Sequence, residues 1–291
     1  MNEPERKKNA QEFLDELVSR PAWLTVEMRG GEDGERVRLN DFISQLSALK
    51  DALVQTERLL YGTEGSVYYR IIELRQQSPA LLTIEAVSKP GKPDNTGPIV
   101  GRFFGYLDAL ARNDPSARAE MDLGALEAFR NLAPTKNRHI SEFRVGNPNA
   151  TVDSLRAFHI DSNFANSVKT VIGPDELSEG SVLGALEMIN LHNAPRFAIF
   201  QPIGNRKITC NFPADLKGNV IAALEQYVKV TGTLHFKKWD PRPHAIDAKA
   251  IEVYPDEKTL PQITDLAGLN PDIVDGMASE EFLAAARHAA W

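Results

Sequence analysis

Apolar and polar residues alternate in the first part of the chain, a pattern typical of strands with one buried face. Leu24, Val26 and Met28 are separated by single polar residues, which predicts a first strand. Two later runs, over residues 66–73 and 80–87, are rich in β-branched and aromatic residues. Such residues suit a pleated, half-buried surface, and these runs predict two more strands.

Helical spacing replaces this alternation after Asn40, whose side chain suits a helix N-cap. Apolar residues then recur every three or four positions as far as Gly62 and predict one long helix. Further predicted elements are helices over 97–112, 122–133 and 162–172 and a strand over 141–145. These elements predict an α+β domain over residues 21–177, preceded by a charged amphipathic helix over 1–20.

The second half of the chain has a different order of elements. Strands are predicted over 181–190, 196–201 and 206–212, then a helix over 213–227, then strands over 228–236 and 246–253. This order is similar to that of the OB-fold, a small five-stranded Greek-key barrel with a helix between its third and fourth strands. Residues 178–255 are therefore expected to form an OB-like barrel.

Residue types within these strands support the barrel. The interior positions of the fourth strand are expected to be Val228, Val230, Leu234 and Phe236. Gly184 and Gly232 lie inside predicted strands, where barrels use glycine at sharp bends. Cys210 alternates with apolar neighbours and is expected to be a buried small hydrophobe rather than a nucleophile.

Composition and charge narrow the class of protein. The 291 residues are 42% hydrophobic and 25% charged, which predicts a globular chain of two domains. No apolar run approaches the roughly 18 residues that a membrane span needs, and no signal peptide is visible. The single cysteine suits a reducing compartment, so a cytoplasmic protein is expected. The net charge of −7 argues against a wholly basic, nucleic-acid-binding surface.

Catalytic motifs are missing from the sequence. We find no phosphate-binding loop, dinucleotide fingerprint, zinc-protease motif or nucleophile elbow. Six histidines are scattered along the chain; His192 and His244 both fall in loops of the predicted barrel, where they could meet. The sequence therefore predicts a non-enzymatic protein with no catalytic residue, no metal site and no cofactor.

The loop over residues 237–244 has the chemistry of a nucleic-acid contact. The candidate contact residues are Lys237, Lys238, Trp239 and Arg242. Cations bind phosphates, and an exposed indole stacks on bases. The alternative is a solvated hairpin whose tryptophan folds back onto the barrel, because the barrel segment carries little excess positive charge.

The last segment, residues 256–291, is acidic, with seven acidic residues against two basic ones. It predicts a short helix with an apolar stripe too small to be stable alone in water, so the helix docks either on its own protein or on a partner. The candidate partner-binding residues are Phe282, Leu283, Arg287 and Trp291.

About 32 residues of this tail follow a recognisable order of motifs. They are Leu260-Pro261, Leu266-Ala267-Gly268, Pro271-Asp272, Ser279-Glu280-Glu281, Arg287 and Trp291. This order resembles the toxin-binding tails of antitoxins that accompany PIN-domain ribonucleases. In that family the tail blocks an acidic metal site of the toxin, a task suited to arginine. Family tails often carry more arginines, whereas this helix has Arg287 alone.

These patterns lead to two main functional hypotheses, beside a third, an enzyme with a site in the N-terminal domain for which the sequence indicates no residues. The first is a binding or regulatory protein whose C-terminal tail docks on a protein partner, such as a PIN-type nuclease toxin. The alternative is a single-stranded nucleic-acid-binding protein that acts through the OB-like barrel.

Overall fold

The computed structural model describes residues 22–31, 36–62, 65–75, 79–134, 139–147, 157–192, 194–203 and 206–255, with Glu280, Glu281 and Ala284 beyond them. It divides into two compact units, residues 1–174 and 175–291. Both helices and sheets are present, which confirms the mixed α+β composition. No helix in the described part of the chain has the length and apolar content required to cross a membrane. The helix predicted over residues 1–20 lies outside the described residues.

The first unit contains a five-stranded sheet in the order β2-β3-β1-β4-β5, in which every pair is antiparallel. Its strands are β1 (Trp23–Gly30), β2 (Val67–Arg75), β3 (Ala80–Ser88), β4 (Ile140–Gly146) and β5 (Ala157–His159). The alternation predicted for β1 is confirmed, because Leu24, Val26 and Met28 are fully buried while the residues between them are partly exposed. No pattern in the sequence had indicated the short strand β5.

Five helices accompany this sheet in the described part of the first unit. They are α1 (Leu39–Tyr61), α2 (Thr96–Ala111), α3 (Ala117–Glu120), α4 (Leu123–Arg130) and α5 (Ser162–Ile172). Phe104 of α2 stacks on Phe158 of β5 with ring centroids 6.1 Å apart. Phe103 of the same helix contacts Phe129 of α4 at 5.4 Å, and both side chains are fully buried. Aromatic contacts therefore tie α2 both to the sheet and to its neighbouring helix.

The ends of α1 differ in part from the prediction. Gly62 ends the helix in a left-handed conformation, with φ of 68°, as expected for a glycine at that position. The predicted N-cap was wrong, because Asn40 lies within the first turn and Arg38 occupies the cap without a side-chain hydrogen bond. Asp41, the acidic residue of the first turn, does not cap the helix; its carboxylate accepts a hydrogen bond from the backbone N–H of His139 at 3.3 Å.

One glutamate of α1 is completely buried. The carboxylate of Glu57 accepts hydrogen bonds from the backbone N–H groups of Gly65 at 2.9 Å and Ser66 at 2.6 Å. It also accepts a hydrogen bond from the Ser66 hydroxyl. Burial, and then the negative charge of Glu57, raise the pKa of Tyr69. Glu57 therefore fastens the start of β2 to the end of α1.

The second unit contains five strands that form a closed barrel in the order β10-β8-β7-β6-β9. Its elements are β6 (Asp175–Asn190), β7 (Arg196–Phe200), β8 (Lys207–Asn211), a 3-10 turn (Ala214–Leu216), α6 (Lys217–Ala222), β9 (Tyr227–Lys237) and β10 (Asp240–Val253). Strand β10 pairs antiparallel with β9 and parallel with β8, which closes the ring. Strand β6 begins earlier than the predicted start of the barrel at Ser178.

The barrel interior matches the predicted pattern. Val228, Val230 and Leu234 are buried, and Phe236 packs against the same core from a partly buried position. Cys210 is buried in this core, and burial raises the pKa of its thiol. The expected role of Cys210 as a small apolar residue is confirmed by this burial.

The predicted helix over 213–227 was too long, since α6 ends at Ala222. Glu225 adopts a left-handed backbone with φ of 64°. Its N–H donates to the carbonyl of Leu186 at 2.8 Å, and the Leu186 N–H donates to the carbonyl of Gln226 at 2.9 Å. The residues after Ala222 therefore form hydrogen bonds with β6 and do not continue the helix that the local sequence favours.

Two glycines inside strands allow close approach of the backbone. A Cβ atom on Gly232 of β9 would lie 2.1 Å from the carbonyl oxygen of Asp247 in β10. On Gly184 of β6 it would lie 2.7 Å from the carbonyl oxygen of Phe200 in β7. The two glycines predicted to serve barrel bends therefore sit where neighbouring strands leave no room for a side chain.

Candidate functional site

The turn between β9 and β10 carries the residues predicted to contact nucleic acid. It is a tight hairpin, with Lys238 and Trp239 between the two strands. Lys238 is exposed, and Trp239 is partly buried. Lys237, at the end of β9, has its Nζ 2.6 Å from a carboxylate oxygen of Asp175, and its side chain is only 10% exposed. The structure therefore places Lys237 in an ion pair and leaves Lys238 and Trp239 at the tip.

A buried aspartate holds this hairpin against the segment before β8. The carboxylate of Asp240 accepts hydrogen bonds from Arg206 Nη2 at 2.8 Å and from the backbone N–H of Arg242 at 3.0 Å. Burial alone raises the pKa of Asp240, but these two hydrogen bonds outweigh it and lower the pKa below its ordinary value. The Arg242 side chain is 69% exposed beside this anchor. Asp240 thus fixes two arginines next to Trp239.

The outward side of β7 and β8 continues this cationic surface. Phe197, Ile199, Ile208 and Cys210 fill the barrel core, so Arg196, Phe200 and Lys207 face outward by alternation, while Ala198 on the same side of β7 is buried. Lys207 is paired with Phe200 across the two strands. We name the set formed by Arg196, Phe200, Lys207, Lys238, Trp239 and Arg242 the basic face. Among the described residues, Arg196, Lys207 and Lys238 of this face form no ion pair.

A second cluster lies on the outside of β6, β9 and β10. His235 Nδ1 is 3.4 Å from Asp175 Oδ2, and its Nε2 is 2.9 Å from Asp247 Oδ2. His244 Nε2 lies 3.0 Å from Asp175 Oδ1, and the two imidazole rings are 6.3 Å apart. Asn211 of β8 donates to Asp247 at 2.9 Å. We call Asp175, His235, His244 and Asp247 the histidine–aspartate cluster.

Hydrogen bonds lower the pKa of both aspartates in the histidine–aspartate cluster. Burial raises the pKa of Asp175, but hydrogen bonds from Lys237 and His244 outweigh it and lower the pKa to about 2. Hydrogen bonds from Asn211 and His235 lower the pKa of Asp247. Because both nitrogens of His235 face carboxylates, the ring has no free nitrogen for proton transfer to a ligand. His235 therefore links β6, β9 and β10 through Asp175 and Asp247.

The sequence pointed to a different pair of histidines. The sequence allowed His192 and His244 to meet in the barrel loops, whereas the structure places His244 beside His235 and leaves His192 exposed after β6. His235 falls on the outward side of β9 by simple alternation. Its partner Asp175 lies before the predicted start of the barrel, so the contact between His235 and Asp175 could be found only from the register of β6 against β9. Among the described residues, no three histidine, cysteine, aspartate or glutamate side chains are arranged to hold a metal ion.

Replacing Asp175 with asparagine is expected to reduce the barrel's free energy of unfolding by up to about 1 kcal/mol near neutral pH, since the ion pairs are partly solvated. The pKa of Asp175 is lowered in the folded state, so its contribution is complete above its ordinary pKa of 3.8 and disappears as the pH falls through about 2. Urea unfolding of both proteins at several pH values measures this difference. Glu187→Gln, an exposed change on the same strand, is the control and should leave the pH profile unchanged.

The first unit has an open groove between α1, α4 and α5, with a volume of about 1030 Å³. Its polar lining residues include Ser44, Ser47, Asp51, Glu127, Arg130 and Asn166. Among the described residues of this unit, no histidine or cysteine lines the groove. The groove therefore offers carboxylates, hydroxyl and amide groups and the guanidinium of Arg130.

The predicted partner-binding residues of the tail, Phe282, Leu283, Arg287 and Trp291, lie outside the described residues. Glu280, Glu281 and Ala284, which lie between and before them, are helical and exposed. The resemblance of this tail to antitoxin tails therefore stays a prediction.

No protein-family model, curated protein or solved structure matches this chain.

Proposed function

We propose that the protein is a binding protein whose barrel binds single-stranded nucleic acid along the basic face. The element order of the second unit, three strands, a helix and two strands, is that of an OB-fold. Barrels of this class bind oligonucleotides on the face of their second and third strands and on adjoining loops. Here those strands are β7 and β8, and the adjoining loop is the β9–β10 hairpin.

The observation that carries this proposal is the hydrogen bond between Arg206 and Asp240. It joins the segment before β8 to the start of β10, so the hairpin tip with Lys238 and Trp239 is held beside Lys207. One surface therefore combines cations for phosphates with aromatic rings for bases, the combination that single-strand binders use.

The distribution of charged residues supports nucleic-acid binding by the basic face, although the whole chain has a net charge of −7. Lys237 and Lys249 pair with the carboxylates of Asp175 and Glu179 on β6, at 2.6 and 2.8 Å. Arg196, Lys207 and Lys238 have no such partner among the described residues, so they are free to contact phosphates. About three to four phosphate contacts on a single strand give a slope of log K against log salt of about −2 to −3. Binding is therefore expected to be moderate and to weaken as salt is added.

The Trp239→Ala protein is expected to bind single-stranded oligonucleotides about 1–3 kcal/mol more weakly, because a stacking ring is lost. The Lys207→Ala protein should lose affinity for all sequences alike and reduce the salt slope by about 0.7. Fluorescence anisotropy with labelled single-stranded DNA and RNA at several salt concentrations measures both effects.

Lys249→Ala is the matched control, because this lysine is bound to Glu179 away from the basic face. It should leave both affinity and salt slope unchanged. Absence of binding by the unaltered chain at low salt, or equal losses in the Lys207 and Lys249 variants, would contradict the proposal.

The acidic tail supports a separate proposal, docking on a protein partner such as a PIN-type nuclease toxin. Its support is the order of motifs in residues 260–291 and the exposed helical positions Glu280, Glu281 and Ala284. A chain that ends at Pro255 distinguishes the two proposals. It should keep oligonucleotide binding if the barrel is the binding surface, whatever the tail contacts.

A further inference from the structure

Strand β2 is an edge strand with an unusual number of exposed apolar side chains. Within the described residues it pairs only with β3, so its other edge has unpaired backbone groups. The exposed fractions are 41% for Tyr68, 49% for Ile71, 44% for Ile72 and 48% for Leu74. An edge that is both long and apolar is a template for pairing with another strand.

The register of β2 against β3 shows how its side chains are divided between the two faces of the sheet. Ile71 and Leu74 are paired with Ile84 and Leu82, which are buried, so they extend the apolar face of the sheet. Arg70 and Glu73 are paired with Glu85 and Thr83 on the opposite face. The register shifts between Ile71 and Glu73, which makes Ile72 an extra residue in a β-bulge.

We propose that β2 pairs antiparallel with β2 of a second copy of this chain, about a two-fold axis that passes between Ile71 and Ile72. In that register Arg70 lies opposite Glu73 of the partner subunit, and Tyr69 lies opposite Leu74 of the partner subunit. The symmetry repeats each of these pairs. Two five-stranded sheets then become one continuous sheet of ten strands.

Charge complementarity selects a second copy over an unrelated strand. The cation and the anion lie on the same face, on either side of the two central isoleucines, so a two-fold axis brings opposite charges together twice. Both charges are accessible, with side chains that are 56% exposed for Arg70 and 49% exposed for Glu73. Opposite-charge pairs across neighbouring strands are stabilising, whereas like charges are destabilising.

The bulge supports the same register. On the β3 side, Ile71 and Ile72 lie opposite the single residue Ile84, which forces the irregular pairing. Against a second β2, two residues lie opposite two, because both strands carry the same bulge. Arg70 with Glu73, and Tyr69 with Leu74, then fall on matching faces without further distortion. The exposed side chains of Ile71, Ile72 and Leu74 become covered in the same step.

Charge reversal tests this interface. The full chain is expected to sediment as a dimer at micromolar concentration, while Arg70→Glu and Glu73→Arg each sediment as a monomer, because each places like charges opposite one another. An equimolar mixture of the two variants should form a heterodimer, since both of its cross-strand pairs then join a glutamate of one chain to an arginine of the other. Analytical ultracentrifugation, with one variant labelled by a fluorophore, measures all four samples.

Lys50→Glu, an exposed charge reversal on α1, is the control and should stay dimeric. Circular dichroism of each variant checks that the sheet is folded, because Arg70 also bonds to Glu85 at 2.6 Å. A monomeric full chain, dimeric single variants, or folded variants whose mixture stays monomeric would each overturn the proposal.

Discussion

Gly232→Ala is expected to lower the free energy of unfolding of the barrel by about 3 kcal/mol, near the upper end of the effects of overpacking. The new methyl carbon would lie 2.1 Å from the carbonyl oxygen of Asp247. That neighbour is backbone, so no side-chain rotation can relieve the clash. Either β9 and β10 separate and lose ladder hydrogen bonds, or the strained strand unfolds more readily. Hydrogen exchange of β9 and β10 peptides in increasing urea measures the loss.

Gly218→Ala is the matched control in the same unit. Gly218 lies within α6, and a Cβ atom there would meet no atom within 4 Å. Alanine lowers the entropy of the unfolded chain and favours helix, so this variant should be more stable by up to about 1 kcal/mol. If the two variants had similar stability, close approach of strands at Gly232 would not be the reason for glycine.

The second large effect is expected at Glu57. Its replacement by alanine should cost about 3 kcal/mol, because two backbone N–H groups and the Ser66 hydroxyl would lose a charged acceptor in a buried place. Glu57→Gln keeps the side-chain volume, but an amide has one acceptor oxygen where the carboxylate has two. This change should lower the free energy of unfolding by about 2 kcal/mol. The loss should appear first as faster hydrogen exchange at the start of β2, which Glu57 fastens to α1.

Asp51→Asn provides the comparison on the same helix. Asp51 is exposed, and changes at exposed positions without special contacts stay within about 0.5 kcal/mol. Urea unfolding followed by circular dichroism compares the three proteins. A Glu57→Ala protein as stable as the Asp51→Asn protein would show that water satisfies the donors of Gly65 and Ser66.

Much of the fold could be predicted because local patterns and tertiary packing agree. The alternation around Val26 and the helical spacing that ends at Gly62 each carry a strong periodic signal, and both elements are found. The end of α6 could not be predicted, because residues after Ala222 favour a helix locally but bond to Leu186 instead. Strand β5 is three residues long and too short for any period.

Only part of the candidate site could be predicted from the sequence, because some of its contacts join residues that are far apart along the chain. Lys238, Trp239 and Arg242 are neighbours along the chain, so their shared chemistry could be recognised. The bond between Arg206 and Asp240 joins positions that are far apart in sequence, and no local pattern predicts it. The same is true of Asp175, whose partners on β9 and β10 are set by the register of three strands.

The closure of the barrel by its last strand also affects how the chain folds during synthesis. Strand β10 pairs with both β8 and β9, so the ring cannot close until the whole of β10 has left the ribosome. The described strands of the first unit's sheet end at His159, and domains nearer the N-terminus generally fold first. Pairings between distant strands are slow to form. A nascent chain interrupted before β10 therefore carries a folded first unit followed by an open barrel, in which β8 and β9 lack their β10 partner and the apolar interior is uncovered. Such a chain is a natural substrate for chaperones and proteases.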